Sequence, residues 1–173
     1  MSPVDPLARP EELLRRVYAY VAYRVHDRAE AEDITGETFV RAVRYRDRYD
    51  PRQGEPIAWL VGIARRCIYD ASLRPRRETA AGEPPVGGDL EGEVISRMTL
   101  ASALAALSPS DRDLVALRYG ADLSSREIAR VLEMRAGTVD VALSRARSRL
   151  KELLESDLAR ERAPARKVAD GPL

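Results

Sequence analysis

From the N-terminus, Leu14, Val17, Val21 and Val25 recur at steps of three and four, the spacing that lines one face of a helix with apolar side chains. Asp27 followed by Glu30 supplies a cap and a capping-box acid for a second helix to about Tyr45, whose inward face is Ala31, Ile34, Thr38, Ala42 and Tyr45. A turn-rich stretch over 47–56 ends at Pro56, suited to the first turn of a third helix with Ile57, Leu60, Ala64, Cys67, Ile68 and Ala71 inward. Further on, Val94, Met98, Ala101 and Leu104-Ala105 mark another helix. Ser108-Pro-Ser-Asp111 opens the next, which runs to about Tyr119 and stops at Gly120. Ser124-Ser-Arg-Glu127 is a capping box before a short helix to about Leu132. After a tight connection over 133–137, a last helix from Thr138 buries Val139, Leu143, Ala146, Leu150 and Leu153. No period-two alternation long enough for a sheet interrupts this pattern, and no internal repeat is present. The expected fold class is all-α.

Charge divides the helical chain. Residues 78–93 hold Glu78, Glu83, Asp89, Glu91 and Glu93 without a single base, among Pro84, Pro85 and four glycines. Such a stretch buries too little apolar surface to order itself and reads as a flexible acidic linker. It separates two small helical domains, 10–77 and 94–156, with a short tail over 157–173 that frays after about Leu158. Each domain is below ~80 residues, so each is expected to have a small core and marginal independent stability.

Composition then excludes several classes. Lys and Arg number 29 against 28 Asp and Glu, a net charge of +1, so a uniformly basic nucleic-acid coat is ruled out while local basic faces are not. One Cys and one His exclude a disulfide framework and a Cys/His zinc site within one chain. No metal and no cofactor is expected. No apolar run approaches the ~18–20 residues of a membrane span, and Met-Ser-Pro-Val-Asp-Pro carries no signal pattern. The expectation is a cytoplasmic protein without membrane insertion.

The strongest chemical signal lies over 124–149. Two short helices about four residues apart, with small Ala129 at their crossing and Ile128, Leu132 and Val139 between them, form the geometry of a major-groove reader. The exposed stripe of the last helix is then Asp140, Val141, Ser144, Arg145, Arg147 and Ser148, with Arg149 and Lys151 adding charge for phosphates or base edges. A solvated helical hairpin is the plainer alternative.

Here the chain resembles a family. Leu107-Ser-Pro-Ser-Asp-Arg-Asp-Leu-Val-Ala-Leu-Arg-Tyr, Glu127-Ile-Ala, Gly137-Thr-Val and Ser144-Arg-Ala-Arg147 resemble region 4 of the extracytoplasmic-function (ECF) sigma factors of bacterial RNA polymerase. Ala31-Glu-Asp-Ile-Thr-Gly-Glu-Thr-Phe39-Val-Arg-Ala is similar to their region 2 helix, and Trp59-Leu-Val-Gly-Ile-Ala-Arg-Arg, with Asp70 and Arg74, to the helix after it. The resemblance covers about residues 10–156.

The resemblance implies core RNA polymerase (β′ clamp and β flap) and promoter DNA as partners, a location at the nucleoid through the polymerase, and an anti-sigma factor as a further candidate partner. Asp33, Glu37 and Phe39 would dock on the clamp, carboxylates around an apolar anchor. Arg41, Arg44, Tyr45, Arg48, Tyr49, Arg52, Trp59, Arg65 and Arg66, with Arg46, would hold the melted −10 strand by charge and stacking, although Trp59 reads mainly as a core residue. Ser125, Arg126, Thr138, Asp140, Val141, Ser144, Arg145 and Arg147 would read the −35 groove, with Thr138 at a helix N-terminus bonding a phosphate. The acidic linker, mimicking nucleic-acid charge, would lie in the polymerase's basic channel, or act as a plain spacer.

The chain departs from the family pattern at Gly36, where Gln is usual, and at Arg66, where Asn is usual. Asp140 and Ala142 replace basic residues, so Asp140 accepts from cytosine N4 or weakens DNA binding. Glu133 replaces a small turn residue, which predicts local strain. His26 reads as a boundary residue and Cys67 as core. Two alternatives stand beside this: a dimeric stand-alone helix–turn–helix regulator, and a protein-interaction module, which would not need the Arg stripe of the last helix. No nucleophile–base pair or Gly-rich phosphate loop supports an enzyme.

Overall fold

The computed structural model describes residues 5–74, 88–90, 93–95 and 97–162. The first half is α1 (Pro10–Arg24), α2 (Arg28–Tyr45), one 3-10 turn (Arg46–Arg48) and α3 (Pro56–Ser72). The second is α4 (Arg97–Ala106), α5 (Pro109–Val115) prolonged by a π-helical turn (Ala116–Gly120), α6 (Ser125–Val131) and α7 (Ala136–Arg162). α2, α5 and α6 begin where a side-chain cap satisfies a free amide of the first turn, whereas α1 and α3 begin at Pro10 and Pro56, which have no amide to satisfy. The Asp27 carboxylate accepts from the Glu30 amide at 3.1 Å, and Ser108 Oγ from the Asp111 amide at 3.1 Å. At α6 both halves of the capping box form, Ser124 N–H to Glu127 Oε2 at 2.7 Å and Glu127 N–H to Ser124 Oγ at 3.3 Å.

Three boundaries differ from expectation. A short antiparallel pair, β1 (Gly88–Leu90) and β2 (Glu93–Ile95), sets Asp89 opposite Val94 within the segment read as an unstructured linker. Val94 therefore belongs to a strand, and α4 starts only at Arg97; strands this short leave no alternation to read. The remainder of the acidic segment, 78–87 and 91–92, lies outside the described residues. At the other end, α7 starts at Ala136, ahead of Thr138, and continues past Leu158 to Arg162.

The larger correction concerns the core. Instead of two separate small cores, the halves share one, and α1 is the reason. It is gripped by α2 and α3 on one side and by α4, α5 and the π turn on the other. Its buried set is Leu13, Val17, Tyr20, Val21 and Ala22; Leu14 is 48% exposed, one position off the stripe read from sequence. Residues of α2 (Ala31, Ile34, Ala42) and α3 (Ile57, Leu60, Val61, Ala64, Cys67) join Leu114, Leu117, Leu123, Ile128 and Val139 of the second half in one cluster. A second cluster seats Ala22 against Leu100, Leu104, Leu107, Val115, Ala146, Leu150 and Leu154. Two units too small to bury enough surface alone gain it from each other. Cys67 is buried as expected, and burial pushes its thiol pKa up. Tyr45, expected inward, faces out. Among the described residues no helix is long and apolar enough to cross a membrane.

Candidate polymerase and nucleic-acid interfaces

The α6–α7 unit is built as its spacing predicts. Ile128, Ala129 and Val139 are buried between the helices. The turn is closed by the Met134 amide donating to the Ala129 carbonyl at 2.8 Å, which puts Glu133 at φ 54°, the left-handed region expected of its departure from a small residue. Thr138, Asp140, Val141, Ser144, Arg145, Arg147 and Arg126 are exposed, and Ser125 is half-buried. Ser125, Asp140, Ser144 and Arg147 line one open cleft together with Arg118 and Lys151. Arg118 and its neighbour Tyr119 were not singled out in sequence. Arg118 is oriented by its Nη1 bond to the Leu123 carbonyl at 3.0 Å, a tertiary turn that no periodicity announces. Because α7 begins early, Thr138 is not its cap. Its amide donates to the Arg135 carbonyl at 3.0 Å, leaving the hydroxyl to reach outward.

On the first half, Asp33 and Glu37 are exposed on α2, as the docking reading requires. Phe39 is only partly exposed and packs on the core. The exposed apolar residues of that helix are Val40 and Val43, at 54% and 57%. The sequence motif points to the aromatic Phe39 as anchor, whereas the outward direction of Val40 and Val43 follows from the buried Ala31, Thr35, Thr38 and Ala42.

The basic–aromatic group comes together only in part. Arg44, Tyr45 and Arg48 are exposed at the end of α2, with the Arg48 guanidinium 5.0 Å from the Tyr45 ring centre. Tyr49 and Trp59 meet at 5.5 Å with rings tilted by 56°, and the Tyr49 hydroxyl donates to the Gly54 carbonyl at 2.9 Å. Burial and the nearby Glu55 and Asp50 raise the Tyr49 pKa. Trp59 is half-buried against the core, consistent with its packing role. Arg52 pairs with Asp50 at 3.2 Å, and its backbone and side-chain bonds lower the Asp50 pKa. Arg66 is exposed. Arg41 bridges α2 and α3, its Nε to Glu37 and its Nη1 to Asp70, both at 2.7 Å; these bonds raise its pKa. Arg65 is turned away from the group, into the junction with the second half, where Nη1 donates to the Val131 carbonyl at 3.2 Å.

Among the described residues no group of His, Cys, Asp and Glu could hold a metal ion.

Comparison with known proteins gives a consistent picture. Residues 11–78 match the family described as Sigma-70 region 2, and residues 97–150 the family described as Sigma-70, region 4. The chain is 36% identical over 150 residues to the ECF RNA polymerase sigma factor BldN of Streptomyces coelicolor, covering 82% of this chain but only 57% of that protein. It is 30% identical over 147 residues to the ECF RNA polymerase sigma factor SigC of Mycobacterium tuberculosis, covering 82% of this chain and 78% of SigC. In structure it is similar to CnrH, solved in complex with the cytosolic domain of CnrY, with a TM-score of 0.61 and 25% identity over 87% of this chain and 86% of CnrH.

Proposed function

The chain belongs to the ECF sigma factors, and from that premise we propose that it binds core RNA polymerase, reads −35 and −10 promoter elements and opens the DNA to start transcription. The observation that carries the reading is that one chain holds two separate interfaces in family order. These are an exposed polar stripe with a cationic cleft on α6–α7, and a cationic–aromatic group at the α2–α3 turn. In this reading the −35 contacts come from α7 and the cleft, including Arg118 and Lys151. The clamp contact comes from Asp33 and Glu37 around Val40 and Val43. Arg44, Tyr45 and Arg48 meet the −10 strand, together with the tilted Tyr49–Trp59 pair. The five acids of the linker compete with nascent RNA for the polymerase channel. An anti-sigma partner belongs to this reading too, since CnrH was solved bound to CnrY. The mechanism is binding, strand separation and handover, with no covalent step.

Run-off transcription with purified bacterial core polymerase on a fragmented genomic library tests it. Discrete transcripts only when the chain is added support the reading, and aligned start sites give the promoter elements. With those in hand, Asp140→Asn is expected to change base preference at one −35 position. Equal binding of all −35 variants before and after would remove Asp140 from the reader. No transcripts, with specific duplex binding in the absence of polymerase, would instead establish the stand-alone regulator.

A further inference from the structure

The core side of α3 is Leu60, Val61, Ala64 and Cys67. Its opposite side carries Trp59, Gly62, Arg66, Tyr69 and Leu73 at steps of three, four, three and four, which is one stripe of a helix. From Trp59 to Leu73 the stripe runs about 21 Å along the axis. Two of its members are large and apolar yet lie in water, Tyr69 at 65% exposure and Leu73 at 67%. The second half of the chain does not cover them. It meets α3 one side further round, where Arg65 donates to the Val131 carbonyl. Arg66, the next residue, is exposed, and among the described residues it pairs with no carboxylate, unlike Arg41, Arg52 and Arg65. Asp70, the acid beside the stripe, is already held by Arg41 Nη1 at 2.7 Å, so its charge does not stand unopposed against an incoming anion. At Gly62 a Cβ would meet no atom within 4 Å. No neighbour requires glycine there, and glycine weakens a helix interior. What it provides is a gap in the stripe between Trp59 and Arg66.

We propose that the outer face of α3 holds single-stranded DNA, one base stacked on the Tyr69 ring against Leu73, with Arg66 on a phosphate and the backbone passing through the gap at Gly62. The proposal rests on the promoter-opening reading and deepens it, adding Tyr69, Leu73 and Gly62 as contacts of the separated strand. An exposed aromatic ring beside an unopposed cation is the pairing that unstacked nucleotides use, ring for base and guanidinium for phosphate. The stripe also continues the Tyr49–Trp59 pair, whose rings meet at 5.5 Å, so one strand can follow both. The face is open in the structure as it stands, and no helix has to move for a base to reach Tyr69.

Binding of a fluorescein-labelled single strand of mixed sequence to the full chain, followed by anisotropy at fixed low salt without polymerase, tests this. The matching duplex serves as the comparison. Tyr69→Ala should bind the single strand about tenfold more weakly and the duplex as wild type does. Tyr69→Phe should keep wild-type affinity, and Tyr69→Leu should fall as far as Tyr69→Ala, because a stacked base needs the ring and not merely apolar area. Arg66→Gln should weaken binding several-fold and make its salt dependence shallower by about one phosphate contact. Gly62→Leu should retain helicity and bind several-fold more weakly, its side chain filling the gap. A wild type without single-strand binding, a Tyr69→Ala variant that binds as wild type, or an equal loss on the duplex would each overturn the proposal. A Tyr69→Leu variant with wild-type affinity would overturn it as well and give the patch to a protein partner. If these results hold while the run-off assay yields no transcripts, the promoter reading fails and the strand site stands.

Discussion

Gly36 lies on the outward side of α2, and a Cβ added there would meet no atom within 4 Å. Its only structural effect is the backbone freedom it adds to a helix interior. Gly36→Ala should therefore stabilise the chain by about 1 kcal/mol, read from urea denaturation. Tyr20 makes the opposite case. Burial, and then the neighbouring Asp113 carboxylate, hold its phenol pKa well above the ordinary value. The folded form keeps the proton while the unfolded chain loses it near pH ~10. The stability linked to Tyr20 is thus fully present below that pH and is lost as pH rises beyond it. Tyr20→Phe removes a hydrogen bond to a charged acceptor and should cost about 1.5–3 kcal/mol at neutral pH. It should also flatten the alkaline decline; urea midpoints from neutral to alkaline pH check both. The stripe of Asp140, Val141, Ser144, Arg145 and Arg147 was legible from spacing alone because local helix geometry sets the direction of each side chain. Tyr20 and Asp113 were not, since their partnership spans 93 residues.

At the scale of elements, caps and turns carried most of the readable information. Asp27, Ser108 and Ser124 each open a helix through a bond to the residue three positions on, a contact contained in a short word of sequence. Ser124→Ala should therefore lower stability by about 1 kcal/mol and slacken α6, seen as faster amide exchange there. Glu133 sits in a left-handed conformation that a residue with a Cβ adopts at a cost. Glu133→Gly should raise the urea midpoint by the equivalent of about 1 kcal/mol without changing the helix–turn–helix geometry. The strand pair and the start of α4 were not readable, because three-residue strands carry no period. The stripe on α1 slipped by one position for a different cause. A helix packed on two sides has a buried face wider than one amphipathic arc, and Val17 and Val21 fit either phase.

At the scale of the whole molecule, the shared core joins the two halves into one body. Val17 and Tyr20 of α1 belong to the same apolar cluster as Leu117, Ile128 and Val139. Calorimetry should show a single unfolding transition for residues of both halves, with van't Hoff and calorimetric enthalpies equal. Two separated transitions would mean the shared core is absent in solution. By itself the sequence determined the helices, most of their caps, the two-part order of the chain, the family and the outward face of the reading helix. Each of these depends on residues within a few turns of one another, where covalent spacing fixes geometry. Tertiary structure alone decided that Leu13 and not Leu14 is buried, and that Arg65 faces Asp113. Those outcomes depend on which surfaces meet across a long segment of chain. Contact between distant surfaces is settled by the sum of apolar burial and charge pairing over both, which no local pattern contains.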